Sequence, residues 1–373
     1  MLPGGVAAGP AGAQGGDFIH VVDPGDTLIG LAARYMASPD DWRLLQSLNR
    51  VPDPYRLVAG SRIRIPLAKI PVQPASARVV FTRGQVRADG KPIQAGTRLG
   101  ESTRIETGAD GALTLELPDG TRVALPAATS IQVHRLRTFA RSGLIDTVIG
   151  IDQGAAESRV APRGGGVGRY EIRTPAMVTG VRGTRYRVTA DGAGSRSEVI
   201  EGTVGVASHT AAEQAVAAGF GVGVSPQGQL GKPVALLPAP VVVNMVQPVT
   251  SASAIVRWGA VPGAVGYRVG VARDAALTEW VSSGEVVAPE AMLNGLPDGP
   301  LHVVVNALAA DHLTGHAGVL PITVRRNPQA AAFAAPQRIE QSAVLRDAPG
   351  GVVADVAVVG VGSLGHGVQT GVR

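Results

Sequence analysis

His312 and His316 stand four residues apart in the segment DHLTGH, a spacing that puts two imidazoles on one face of a helix for a divalent metal. Gly315 lies between them and the surrounding pattern is that of a strand-to-strand turn. No third ligand accompanies the pair, so it reads as a surface loop and not as a metal site. Gly360-Val361-Gly362-Ser363-Leu364-Gly365 has the form of a dinucleotide-phosphate loop after an apolar run. That chemistry needs a following helix, a second strand and an acid about twenty residues on. Only eight residues follow, so no nicotinamide or flavin is expected. The chain has no cysteine, which removes thiolate ligands, cysteine nucleophiles and disulfides and fits a cytosolic or a periplasmic home. No G-x-S-x-G elbow, phosphate-binding Walker loop or HExxH helix occurs. Carboxylates are abundant enough to supply a glycosidase pair in any chain of this length, so they decide nothing. No catalytic residue, metal or cofactor is assigned.

A different constellation lies near the start. Gly25, Asp26, Thr27 and Leu28 sit between an expected strand, His20-Val21-Val22, and an amphipathic stretch. Asp26 is placed as the helix N-cap, its carboxylate accepting from backbone N–H groups. Leu28, Leu31, Ala32 and Tyr35 then recur at i, i+3, i+4 and i+7 as one buried stripe. Ser38-Pro39-Asp40-Asp41 opens a second helix with a serine cap, a first-turn proline and two acids against the helix dipole. Its apolar face is Trp42, Leu45 and Leu48. The turn-rich loop VPDPYRLVAG follows, bearing Asp53, Pro54, Tyr55, Arg56 and Leu57, and then an alternating strand, Ser61 to Pro66. The order is strand, helix, helix, strand around a very small core.

With GDTL after the first strand and GSRIRIP at the second, residues 19–66 resemble a LysM domain. The resemblance implies binding of N-acetylglucosamine-containing glycans, chiefly peptidoglycan or chitin, in a shallow groove between two loops. Carried over, the glycan-binding residues are Gly25, Asp26, Thr27 and Leu28 from the first loop and Asp53, Pro54, Tyr55, Arg56 and Leu57 from the second. Backbone groups there would bond the acetamide while an apolar side chain packs on the sugar face. Asp26 and Thr27 also have a purely structural reading, as helix caps. Ala59-Gly60-Ser61 stands where the family usually has Pro-Gly-Gln, and Arg56 where an apolar residue is common.

The rest of the chain explains how such a module would be carried. At 373 residues, two to four domains are expected. Aromatics are only 3%, while glycine and proline number 50 and 27, a composition suited to many short strands and turns. Net charge is +5 and comes mostly from arginine, Lys69, Lys91 and Lys232 being the only lysines. So small an excess is no nucleic-acid signature. No apolar run reaches the ~18 residues of a membrane-spanning helix. Residues 1–18 read as a flexible leader or the remnant of a signal peptide, with Ala11-Gly12-Ala13 in small-x-small form. Residues 67–76 read as a proline-rich linker.

From residue 77, turn signals recur at Gly84, Asp89-Gly90, Gly96, Gly108, Asp110-Gly111 and Asp119-Gly120 between short apolar alternations, the pattern of an all-β unit. Thr174-Pro175, Val181-Arg182-Gly183-Thr184 and Glu201-Gly202 followed by Thr203-Val204-Gly205-Val206 resemble the FecR domain. Gly96, Leu99, Ile105, Thr107 and Asp119-Gly120 fall in that family's order. The resemblance spans 77–232. It implies an elongated β-rich stack outside the cytoplasm, of the kind found in ferric-citrate regulators and other envelope proteins. Arg182, Arg185 and Arg187 have two readings, a surface for anions or, more commonly for such alternation, the solvated face of the strands. A second linker, 233–239, leads to 240–327. There Trp258, Tyr267-Arg268-Val269 and the turn Leu296-Pro297-Asp298-Gly299 resemble a fibronectin type III sandwich with Trp258 as core plug. Val303 and Val305 occupy positions where aromatics are usual. The Ala- and Gly-rich tail, 328–373, fits no module.

The fold class expected is therefore multidomain and mainly β: a βααβ LysM unit, an elongated FecR-like β domain and a fibronectin type III-like sandwich. The function expected is a non-enzymatic protein of the periplasm or cell envelope, bound to peptidoglycan and presenting its β modules to an envelope partner. Two alternatives stand beside it. One is a component of FecR-type trans-envelope signalling; the other is an accessory of a cell-wall hydrolase.

Overall fold

A computed structural model describes residues 12–14 (backbone only), 17–139, 144–160, 169–181, 184–243, 249–250 and 252–325. They belong to one compact unit. The tail 328–373, with its GVGSLG stretch, and Arg182-Gly183 of the middle motif lie outside the described residues. Among the described residues no helix is long and apolar enough to cross a membrane.

The first module is built as its periodicity dictates. Strand Asp17–Val21 pairs antiparallel with Arg62–Pro66, and helices Leu28–Tyr35 and Trp42–Asn49 cross between them. Leu28, Leu31, Ala32 and Tyr35 are all buried. On the second helix only Leu45 is fully buried, with Trp42 packing at the core's edge. The first strand starts at Asp17, inside the stretch expected as a leader, because Phe18 is a core residue; Gly12–Gln14 pairs along its outer edge. Residues 67–76, expected as a linker, are packed. Leu67 and Ile70 close the bottom of the first module's core, and Val72–Pro74 pairs with Arg137–Phe139 of the middle module. Phe139 and Leu144, at the end of the hairpin Ser130–Phe139 and Ile145–Arg159, complete that same core. A domain this small gains burial by borrowing side chains from its neighbour.

The middle module is an 18-stranded antiparallel-rich sheet folded over one core. Its long strand Ile145–Arg159 serves two ladders. The first half pairs with Ser130–Phe139 and, in parallel, with Arg169–Arg173; the second half pairs with Arg122–Leu125 and Arg185–Asp191. The change of partner falls at Gly154, whose φ of +92° and contact with the Thr129 backbone leave no room for a Cβ. Alternate residues such as Ile131, Ile149, Tyr186, Val188, Val199 and Val222 face the core.

In the third module a two-stranded sheet, Ala254–Arg257 with Glu290–Leu293, faces a four-stranded one in the order Trp280–Val286, Ala264–Ala272, Gly299–Ala309, Thr314–Val324. Trp258 plugs the core between them, edge-on to Tyr267 at 5.2 Å. The Tyr267 hydroxyl accepts from the Val261 N–H at 3.0 Å. Val303 and Val305 fill the core without aromatic rings. Residues 233–239, expected as a second linker, also pack. Val234–Ala235 pairs with Phe220–Val224, and the His316 N–H donates to Leu237 O at 2.9 Å.

Candidate functional site

The two loops singled out in the first module meet. The Leu28 N–H donates to Pro54 O at 3.0 Å, so the start of the first helix is bonded to the loop before the last strand. Gly60 N–H donates to Val22 O, and Val22 N–H to Ser61 O, closing the same side. Within the second loop the Tyr55 N–H bonds Asp53 Oδ1 at 2.9 Å and the Arg56 N–H bonds Asp53 O at 3.2 Å. This aspartate turn holds Tyr55 and Arg56 outward. Tyr55 is 64% exposed, Arg56 is exposed, and Leu57 turns inward against the module core. A large amphipathic ring at a loop tip, beside tied backbone, suits the apolar face of a sugar.

The first loop differs from expectation in one residue's role. Thr27 is the N-cap: its backbone is extended and its hydroxyl accepts from the Gly30 N–H at 3.0 Å. Asp26 lies one residue too early and is engaged elsewhere. Its Oδ2 accepts from the Asp23 N–H at 2.9 Å and from His20 Nε2 at 2.7 Å. His20 is buried, and Tyr35 OH lies 3.3 Å from its Nδ1. With a neutral ring, both contacts are met only by a proton on Nε2, so Tyr35 donates to Nδ1. Burial pushes the Asp26 carboxyl up, but the hydrogen bonds of His20 and the Asp23 N–H, with the charge of Arg34, outweigh it and hold the group below the ordinary aspartate value. Burial pushes the Tyr35 phenol up.

The chain Asp26–His20–Tyr35 thus pins the Gly25 turn to the strand beneath and the helix behind. His20, Asp23 and Tyr35 were not among the residues expected at the site. The available signal was a histidine on a strand, six residues before an aspartate across a Pro-Gly turn. His20, Asp23 and Asp26 also offer donor atoms within 4.8 Å of one another. A cation there would have to break the 2.7 Å bond that braces the turn, and Asp23 is exposed. The trio reads as a brace. His312 and His316 join no such group of three among the described residues. Their loop is also less of a surface feature than expected, because Leu313 and Thr314 are buried.

Residues 20–66 match the family model described as LysM domain, and residues 103–205 the one described as FecR protein. The chain therefore carries a LysM domain followed by a FecR domain, in a mainly β, multidomain fold. No curated protein matches it. Among solved structures it is similar to a candidate anti-sigma factor from Parabacteroides distasonis, with 20% identity and a TM-score of 0.29 over 35% of this chain and 57% of that one. The chain thus spans little more than half of that protein's length. It is also similar to the fn3 domain of the human collagen alpha-1(XX) chain, with 24% identity and a TM-score of 0.20 over 27% of this chain and 91% of that one.

Proposed function

We propose that this is a non-enzymatic protein of the cell envelope whose LysM domain holds it to peptidoglycan while its β modules present a surface to other proteins. The supporting observation is the pairing of the two loops: Leu28 and Pro54 are bonded edge to edge, and Tyr55 stands exposed beside them. Peptidoglycan is a polymer, so a shallow open site of this kind suits a chain passing across it better than a deep pocket would. The residues that bind are Gly25, Asp26, Thr27 and Leu28 on one side and Asp53, Pro54, Tyr55, Arg56 and Leu57 on the other. Asp26 acts there through the backbone it positions, since its carboxylate is already committed to His20 and Asp23.

A second reading is favoured by the FecR match over 103–205. On that reading the middle module takes part in signalling within the envelope, and the LysM domain fixes where it does so.

The test is co-sedimentation of the full-length protein with insoluble peptidoglycan at low and high salt. Tyr55→Ala should lose most of the binding with the fold intact, because the side chain is exposed at a loop tip. Parent binding should survive salt that screens exposed charges beyond about 3–8 Å. Unchanged sedimentation of Tyr55→Ala, or loss of parent binding on adding salt alone, would sink the groove as the attachment site. A membrane-bound regulator recovered with the intact chain would favour the signalling reading; a co-purifying wall hydrolase would favour an accessory role.

A further inference from the structure

The outer face of the middle module carries one cross-strand row. Register places Thr114 opposite Ala124, Ala124 opposite Glu157, Glu157 opposite Arg187, Arg187 opposite Glu198 and Glu198 opposite Gly221. Such a row of alternating charge is what a sheet shows to water. Here it is covered by the third module. Glu198 is 0% exposed and Arg187 9%.

The cover is made by two loops and a small apolar patch. The Thr314 N–H donates to Glu198 Oε1 at 3.0 Å, and Thr114 Oγ1 donates to Thr278 O. Leu313 and Leu236 lie over Gly221, where a Cβ would meet Leu313 Cδ2 at 2.9 Å and Leu236 Cδ2 at 3.0 Å. Ala272, Leu277 and Val304 are buried on the same side of the third module. The charges beneath are incompletely satisfied. Among the described residues, Glu198 Oε2 and Arg187 Nη1 are buried with no hydrogen-bond partner, although the two residues stand directly opposite. Arg187 instead reaches Glu157, and Arg268 of the third module is held by Glu285.

A permanent interface would gain by replacing these charges with apolar residues. Keeping them makes sense if the face spends part of its time in water, where every unmet donor and acceptor is solvated. We propose that the third module is a releasable latch: it alternates between docking on the row Thr114, Glu157, Arg187, Glu198 and Gly221 and lifting off, which exposes that row as a surface of alternating charge. The latch stands whether or not the first module binds glycan.

The absence of native cysteine allows spin labels at Lys91→Cys and Val287→Cys, both exposed and one in each module. Distances in the full chain should show a docked population and a longer, released one. The released fraction should grow in Gly221→Val, which wedges against Leu313, and in Leu313→Asp. No growth in either variant would overturn the latch. The parent chain gives an independent reading that needs no variant. The Thr314 amide, bonded across the interface, should exchange with solvent about tenfold or more faster than Val303 and Val305 in its own module's core. Exchange of all three at one common rate would mean that the module never leaves except by unfolding, and the proposal would fail.

Discussion

Asp26 and Glu198 are both carboxylates withdrawn from water, and the molecule treats them in opposite ways. Around Asp26 every contact is local and complementary: a backbone N–H, an imidazole N–H and a turn that closes on itself. Its proton affinity falls below the ordinary value. Around Glu198 burial dominates and raises proton affinity; Arg187, the Thr314 N–H, Arg268 and Arg196 offset it only in part. One oxygen finds no hydrogen-bond partner among the described residues. The first arrangement is what a sequence builds when an element is to stay put. The second is what remains when a surface suited to water is covered by another module.

The largest effect expected from this contrast is in the cores beneath the two sites. Leu28→Ala removes a fully buried side chain from the small LysM core and should destabilise that module by about 2–5 kcal/mol. Hydrogen exchange over 17–66 would rise, and with it the exchange of Phe139, which completes the same core. Leu313→Ala, a buried leucine of the docking loop, should leave both neighbouring modules folded and shift only their contact. Equal loss of protection throughout the third module would break the distinction.

Next in size is the brace. Asp26→Ala leaves the buried His20 ring without its acceptor, a loss of about 1–3 kcal/mol, while the exposed Asp23 N–H turns to water. His20→Ala should cost a similar amount, and the double variant little more than either, because the two share one interaction. A double-mutant cycle on the stability of 17–66 checks this. Additive losses would mean that the bond braces nothing.

How much of this was legible in the sequence follows the same division. The stripe Leu28, Leu31, Ala32, Tyr35 was readable because helical period is local, and Trp258 because a sandwich core needs one large plug. The role of Asp26 was not readable. Whether Asp26 or Thr27 caps the helix depends on His20, which the Pro24-Gly25 turn folds back onto the carboxylate. Residues 67–76 looked like a linker by proline content, yet Leu67 and Ile70 were the apolar signal that the segment packs. The row from Thr114 to Gly221 was invisible, since it exists only once six strands are in register. Arg187 was expected on a solvated face and is instead buried, because the third module covers that side of the sheet, which no strand alternation reveals.

Because the Asp26 carboxyl is held below its ordinary value of 3.8, the stability it gives is complete above that value. It is lost as pH falls through the depressed one, where the folded module must take up a proton it resists. Protection of 17–66 should therefore drop in that window, and Asp26→Asn should flatten the drop. A parent profile identical to that of Asp26→Asn would show that the carboxylate is not titrating against the fold.

The smallest effect, and the most discriminating, is the pH response of the interface. Glu198 has a raised proton affinity when docked and an ordinary one when the face is open to water. The docked state therefore binds the proton more tightly, so docking is strongest below the ordinary glutamate value of 4.5. It weakens as pH rises through the raised value, the reverse of the sign at Asp26. The groups facing Glu198 work against this shift without abolishing it: Arg187 on the adjacent strand, Arg196 on its own strand and Arg268 of the third module. Glu198→Gln removes the titration while keeping the shape and an acceptor for the Thr314 N–H, so its docked fraction should no longer fall over that range. At neutral pH it should dock at least as well as the parent, because an amide is less costly to bury than an incompletely paired carboxylate. The spin-label distances that test the latch, collected for parent and Glu198→Gln across that range, decide it. A docked fraction that rises with pH in the parent would mean the attraction of the surrounding arginines outweighs burial, making Glu198 a brace of the same kind as Asp26.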